Sequence, residues 1–193
     1  MQKILVFGSS LASGLESYDT QRNYFLKGYS VEFLYSSHRG KSYEFFIDKP
    51  KTFDEILNCN PDYIVVIFGG NSISTEVPKS VVLKNCRIFY QQLYDRAILI
   101  NPNVKIIATS LPMRYVYNYS HNTPIPDEYK KLRNYVNQRI KSLTCKHFVL
   151  NICGPNNLDN VEYYKADGVH FNYLGKKRFF QIILDKIEYI LPD

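Results

Sequence analysis

The 193-residue sequence has no apolar run approaching the ~20 residues that a membrane-crossing helix requires. Its opening apolar stretch, Ile4-Leu5-Val6-Phe7, ends at Gly8-Ser9-Ser10, which suits a first buried strand better than a secretory signal. Without either signal, a cytoplasmic protein is the expectation. The four histidines, His38, His121, His147 and His170, show neither His-x-His nor His-Glu-x-x-His spacing, so a dedicated zinc motif is lacking. The four cysteines, Cys59, Cys86, Cys145 and Cys153, form no close ligand pair and are expected to be reduced and structural. Nucleotide motifs are missing too. No Gly-x-Gly-x-x-Gly follows the first strand, and Gly40-Lys41-Ser42 has Tyr35 where a phosphate loop needs its first glycine. No metal or organic cofactor is called for.

What is present reads as one α/β domain over residues 1–193. Hydrophobic residues make up 45% of the chain, enough for one well-buried core but few for two. Strands are expected at Ile4 to Phe7, Ser30 to Tyr35, Tyr63 to Phe68, Val104 to Thr109 and His147 to Leu150. Residues near Tyr18 to Lys27 and Phe53 to Leu57 are expected to be helical. Val82, Cys86, Phe89, Leu93, Ala97 and Ile100 recur every three or four positions, as on an amphipathic helix. Leu132, Val136, Ile140 and Leu143 mark another, and Phe180, Ile183, Ile187 and Ile190 the last. This alternation predicts a mostly parallel sheet between helical layers, with chemistry at the carboxyl ends of the strands.

Those ends hold the informative residues. Ser10 follows a strand and a glycine where a helix could start, as a helix cap or as a nucleophile beside backbone N–H groups. The segment Gly8-Ser9-Ser10-Leu11-Ala12 is not a complete Gly-x-Ser-x-Gly elbow. Asp167 and His170, three residues apart, can set a carboxylate against one imidazole nitrogen while the other faces a serine. They can also form a helix-entry turn or half of a metal site. Asn71, after Phe68-Gly69-Gly70, is either a turn residue or an amide aimed at an oxyanion.

Gly8-Ser9-Ser10-Leu11, Gly40, Gly69-Gly70-Asn71-Ser72 and Asp167-Gly168-Val169-His170 resemble, in order and separation, the four sequence blocks of the SGNH hydrolases, also called GDSL-type lipases and esterases. The resemblance runs from Lys3 to the last helix, and the last block, followed by Phe171-Asn172-Tyr173-Leu174-Gly175, is the most specific part. It implies a flavodoxin-like three-layer α/β/α sandwich and cleavage of carboxylic esters, often acetyl or short-chain. It also implies Ser10 as nucleophile, His170 as base and then acid, and Asp167 as the residue that orients it. The implied oxyanion hole is the Ser10 and Gly40 N–H groups with the Asn71 amide. Ser9 and Ser72 depart from the pattern, standing where the family usually carries aspartates that hold the neighbouring loops.

The expected reaction is acyl transfer from a small-molecule ester to Ser10, then hydrolysis. Met113, Arg114, Tyr115 and Tyr117 are candidates for one pocket wall, with Arg114 either binding an anionic leaving group or solvated at the surface. Val169 and Phe171 either shape the entrance or anchor their loop in the core. The alternative is a catalytically silent module that binds an acylated ligand, a nucleic acid or a protein partner. The formal charge of +6 favours anionic partners. Lys130, Lys131, Arg133, Arg139 and Lys141 on one helix, with Lys176, Lys177 and Arg178 on the last, are either a nucleic-acid footprint or an ordinary basic surface.

Overall fold

A computed structural model describes residues 1–118, 123–143, 148–149 and 158–192. The chain opens with β1 (Gln2–Gly8), α1 (Ser10–Tyr18), β2 (Asn23–Leu26) and β3 (Tyr29–Ser37). Two short helices follow, α2 (Tyr43–Asp48) and α3 (Lys51–Leu57), then β4 (Tyr63–Ile67) and a single 3-10 turn at Gly70–Ser72. Next come α4 (Lys79–Ile100), β5 (Lys105–Ala108), the short strands β6 (Val116–Asn118) and β7 (Thr123–Pro124), and α5 (Asp127–Lys141). The chain closes with β8 (Phe148–Val149) and the last helix, α6 (Tyr173–Ile190).

Six strands form one sheet in the order β2-β3-β1-β4-β5-β8, parallel throughout except for the β2–β3 pair. The expected α/β/α sandwich is therefore present. Alternation along each strand sends side chains to opposite faces, and both faces are covered. Leu5, Phe7, Ile64 and Val66 point to one side, where Phe46, Phe53, Phe89, Leu93 and Val136 of α2 to α5 bury them. Ile4, Val6, Val65 and Ile67 point to the other, against Ala12 and Leu15 of α1 and Phe179, Ile183 and Ile187 of α6. All of these residues are buried.

One expected helix is corrected. Residues 18–27 do not form a helix, because α1 ends at Tyr18 and Asn23–Leu26 pairs antiparallel with Tyr29–Ser37. Lys27 and Gly28 lie at φ +46° and +81°, the left-handed pair of a tight hairpin turn that splices β2 onto the sheet edge. Helix α2, which carries only two buried residues, Tyr43 and Phe46, adds an element that the sequence pattern does not mark. The expected strand from His147 to Leu150 is described only at Phe148–Val149. His121, His147, Cys145 and Cys153 lie outside the described residues.

Connections from β1 leave toward β3 on one side, while β4 returns to its other flank. A crevice must open where the direction reverses, beyond the carboxyl ends of β1 and β4. Gly8 is what lets β1 turn into α1 there. A Cβ on Gly8 would fall onto the Ile67 carbonyl oxygen and within 2.8 Å of the Ala12 Cβ. Among the described residues no helix is long and apolar enough to cross a membrane.

Candidate active site

Ser10 is the first residue of α1 and is half-buried. Helix geometry leaves the N–H groups of its first turn without intrahelical acceptors, and the first helical bond here is Ser13 N–H to the Ser9 carbonyl. The Ser9 side chain does not cap the helix. Its backbone N–H donates to the Ile67 carbonyl at 3.1 Å, while His38 N–H donates to the Gly8 carbonyl at 2.7 Å. The turn is thus laced between the ends of β4 and β3.

His170 comes from the segment that leads into α6. Asp167 Oδ1 accepts from the N–H groups of Val169 and His170, both at 2.9 Å, and Asp167 Oδ2 lies 2.8 Å from His170 Nδ1. Partial burial works to raise the Asp167 pKa, but the two N–H groups and the imidazole outweigh it and hold the carboxyl below its ordinary value. Lys165 N–H donates to the His170 carbonyl at 2.8 Å, and Gly168, at φ +62°, leaves room for the Val116 backbone. Asn172 caps α6 by accepting from Gly175 N–H. A carboxylate on Nδ1 selects the tautomer in which Nε2 is an acceptor.

Ser10 and His170 line one cavity of about 290 Å³, together with Ser13, Arg39, Lys165 and Lys176. Ser10 also lines a second, much smaller chamber of about 30 Å³, walled by Ile67, Leu111, Met113 and Val169. Among the described residues no hydrogen bond joins Ser10 to His170. Gly40, at φ +71°, and Asn71 line neither of these two spaces. Asn71 is nevertheless oriented. Its Nδ2 donates to the Lys41 carbonyl at 3.2 Å, and its Oδ1 accepts from Arg114 Nη2 at 3.0 Å.

The surrounding residues divide between the small chamber and the core. Met113, Arg114 and Val169 do line the small chamber, but Arg114 is engaged with Asn71 and lies over Gly70. Tyr115 lines neither space. Its ring meets Tyr164 edge-on at 5.0 Å between centroids, and its N–H donates to the Gly168 carbonyl. Phe171 is buried in the core beneath the large cavity. Ser72 accepts from Tyr43 N–H at 2.8 Å, so this serine ties the loop after β4 to the start of α2.

Arg133 is the clearest surprise, since it is not part of a basic surface at all. It is 2% exposed, with Nη2 3.0 Å from both carboxylate oxygens of Asp159 and Nε donating to the Leu111 carbonyl. Asp159 also accepts from Met113 N–H, and Asn137 brackets Leu111 through its N–H and carbonyl. This network holds the wall of the small chamber. Neither Asp159 nor Asn137 carries a sequence signal, because no motif spacing links them to Leu111 or Met113.

Residues 6–178 match the GDSL-like lipase/acylhydrolase family. The chain belongs to that family. Among solved structures it is similar to a lipase/acylhydrolase from Enterococcus faecalis at 17% identity and a TM-score of 0.69, covering 100% of this chain and 98% of that one. It is also similar to a lipase from a goat rumen metagenome, at 14% identity and a TM-score of 0.68, over 95% and 96% of the two chains. A carbohydrate esterase of family 3 from Talaromyces cellulolyticus has a TM-score of 0.63 at 14% identity, with 98% of each chain covered. At such identities the likeness is one of fold. A search of the curated proteins finds no match to the sequence. Membership in the GDSL family supports a serine hydrolase acting on small-molecule esters.

Proposed function

We propose that the chain is a serine esterase that removes a short acyl group, acetyl above all, through an acyl-enzyme on Ser10. The observation that carries this reading is the Asp167–His170 contact at 2.8 Å, with His170 lining the same cavity as Ser10 at a helix N-terminus. As the substrate carbonyl seats, Ser10 Oγ comes within reach of His170 Nε2. Such contacts commonly tighten only in the Michaelis complex.

Ser10 Oγ attacks the carbonyl carbon and its proton passes to Nε2, while Asp167 stabilises the imidazolium. Negative charge on the former carbonyl oxygen is met by the Ser10 N–H, with Gly40 N–H and the Asn71 amide as the further donors. Nε2 then gives the proton to the departing alkoxide, leaving acyl-Ser10. Water, deprotonated by Nε2, attacks that ester and frees the carboxylate as Ser10 regains its proton.

The chamber beside Ser10 favours a small acyl group. Its volume is about 30 Å³ against about 290 Å³ for the larger cavity, a space suited to a short acyl group rather than a long chain. The leaving alcohol then takes the larger cavity. The whole chain, residues 1–193, is read as a single catalytic domain.

The test is hydrolysis of a chromogenic ester series by wild type and Ser10→Ala. Wild type is expected to give a burst and turnover that fall steeply from acetyl to octanoyl, with both lost in the variant. Equal rates from the two folded proteins across the series would instead favour a silent binding module.

A further inference from the structure

The large cavity beside Ser10 carries an unusual charge balance. Arg39, Lys165 and Lys176 all line it, and no aspartate or glutamate does. Among the described residues none of the three meets a carboxylate. By contrast Arg22, Arg96, Lys130 and Arg133 are paired with Glu16, Asp54, Asp127 and Asp159 respectively.

Two of the three cations are held in place by hydroxyls. Arg39 donates through Nε at 3.0 Å and Nη2 at 2.7 Å to Ser13 Oγ, a buried acceptor on the turn of α1 that follows Ser10. Lys176 Nζ donates to Ser17 Oγ at 3.2 Å, one turn further along the same helix. A hydroxyl orients a cation without neutralising it, so the full positive charge remains directed at whatever fills the space.

The cavity does not end at these lysines. Lys165, Lys176 and Ser17 also line an adjoining space of about 410 Å³, floored by Tyr18, Tyr24 and Tyr173. Tyr18 and Tyr173 meet at 5.5 Å between centroids, and Tyr173 is 67% exposed, an open aromatic surface. Asp19 also borders this space, with its carboxylate held under the surface and turned onto neighbouring donors. It is 2% exposed, and its oxygens accept from the hydroxyls of Tyr24 and Tyr35 and from Arg22 N–H.

We propose that the alcohol released by this enzyme is anionic, carrying a phosphate or carboxylate that seats between Arg39, Lys165 and Lys176, with the rest of the alcohol running onto the Tyr18–Tyr173 surface. This rests on the esterase reading, which places the acyl group in the small chamber and so sends the alcohol toward the cations. Guanidinium and ammonium groups bind oxyanions through charge-assisted hydrogen bonds, and a water-accessible cleft of one sign raises the local concentration of a ligand of the other.

The experiment uses four acetyl esters that differ only in the para group of the phenol: phosphate, carboxylate, hydrogen and trimethylammonium. Wild type is compared with Ser10→Ala and with the double variant Lys165→Gln/Lys176→Gln. In parallel, phenyl phosphate binding is measured by calorimetry, a readout that needs no turnover.

The expected result is Ser10-dependent cleavage with kcat/KM highest for the two anions. The anion-to-neutral ratio should drop by about 10- to 100-fold in the double variant, the size of one or two lost charge-assisted contacts. It should also shrink toward one at about 1 M salt, where screening acts over roughly 3 Å. Whether phosphate or carboxylate is the better group identifies the anion. Ser10-dependent cleavage with the same ratio in wild type and double variant overturns the anion site and leaves the esterase standing. No cleavage of any ester, with phenyl phosphate bound by wild type and not by the double variant, overturns the esterase and keeps the anion site. Loss of both cleavage and binding overturns both.

Discussion

Replacing Arg133 with methionine tests whether the buried ion pair sets the acyl chamber. The substitution keeps much of the side chain's volume but removes two contacts to Asp159 and one to the Leu111 carbonyl. Removing one member of a buried pair typically costs ~3–5 kcal/mol, because the partner is left charged and out of water. Here Asp159 remains 18% exposed and still accepts from Met113 N–H, and Leu111 keeps its bonds to Asn137. The lower end, about 3 kcal/mol, is therefore expected. In a chain of this size that corresponds to a fall in Tm of roughly 6–12 °C. Urea titration monitored by circular dichroism supplies the free energy. Because Leu111 and Met113 wall the chamber, the acetyl-to-butyryl ratio of kcat/KM should fall in the same variant. Adding Asp159→Asn should recover part of the stability, since the uncompensated charge is then gone, but not the selectivity. A single variant within about 1 kcal/mol of wild type would show that the pair does not hold this wall. Lost stability with unchanged selectivity would show that the wall does not size the acyl group.

Asp167→Asn should lower kcat by on the order of 10³–10⁴-fold with little change in KM, as expected when the carboxylate that selects the histidine tautomer is lost. A loss in KM alone would place Asp167 outside the proton relay. Since the folded-state pKa of Asp167 lies below its unfolded value near 3.8, its stabilising contribution is complete above that pH and disappears as pH falls through the folded value. Wild type should consequently lose stability more steeply than the asparagine variant below about pH 3.8, a difference that acid titration of the folded fraction will read. Cys86 sits on the buried face of α4, and burial pushes its thiol up to about 12, so alkylation of Cys86 at pH 8 should be negligible until the protein unfolds. Peptide mapping after native labelling will check this, and rapid modification of Cys86 would contradict the packing.

The long elements are legible in the sequence because periodicity and burial agree in them. The stripe of Val82, Cys86, Phe89, Leu93 and Ala97 is the buried face of α4, and Tyr63–Ile67 is buried on both sides, as its unbroken apolar run requires. The hairpin at Lys27-Gly28 is not legible in the same way, because Asn23–Leu26 is an edge strand with alternating partial exposure and its turn is marked by a single glycine. Helix α2 escapes for a related reason, since six residues are too few to show a period.

At the site, the sequence alone determined the features set by neighbours in the chain: Ser10 at the end of a strand, and a carboxylate three residues before a histidine. Local geometry nearly dictates the Asp167 turn, because its Oδ1 bonds to N–H groups two and three residues away. Only the tertiary structure decided the rest. It set Ser10 and His170 on one cavity wall from opposite ends of the chain and tied Arg114 to Asn71. It also drew Arg133 inward to Asp159 and left Arg39, Lys165 and Lys176 without acidic partners around the same space. The physical reason is that a hydrogen bond or an ion pair depends on distance in space, and pairs separated by 26 or 43 residues leave no periodicity from which that distance can be read.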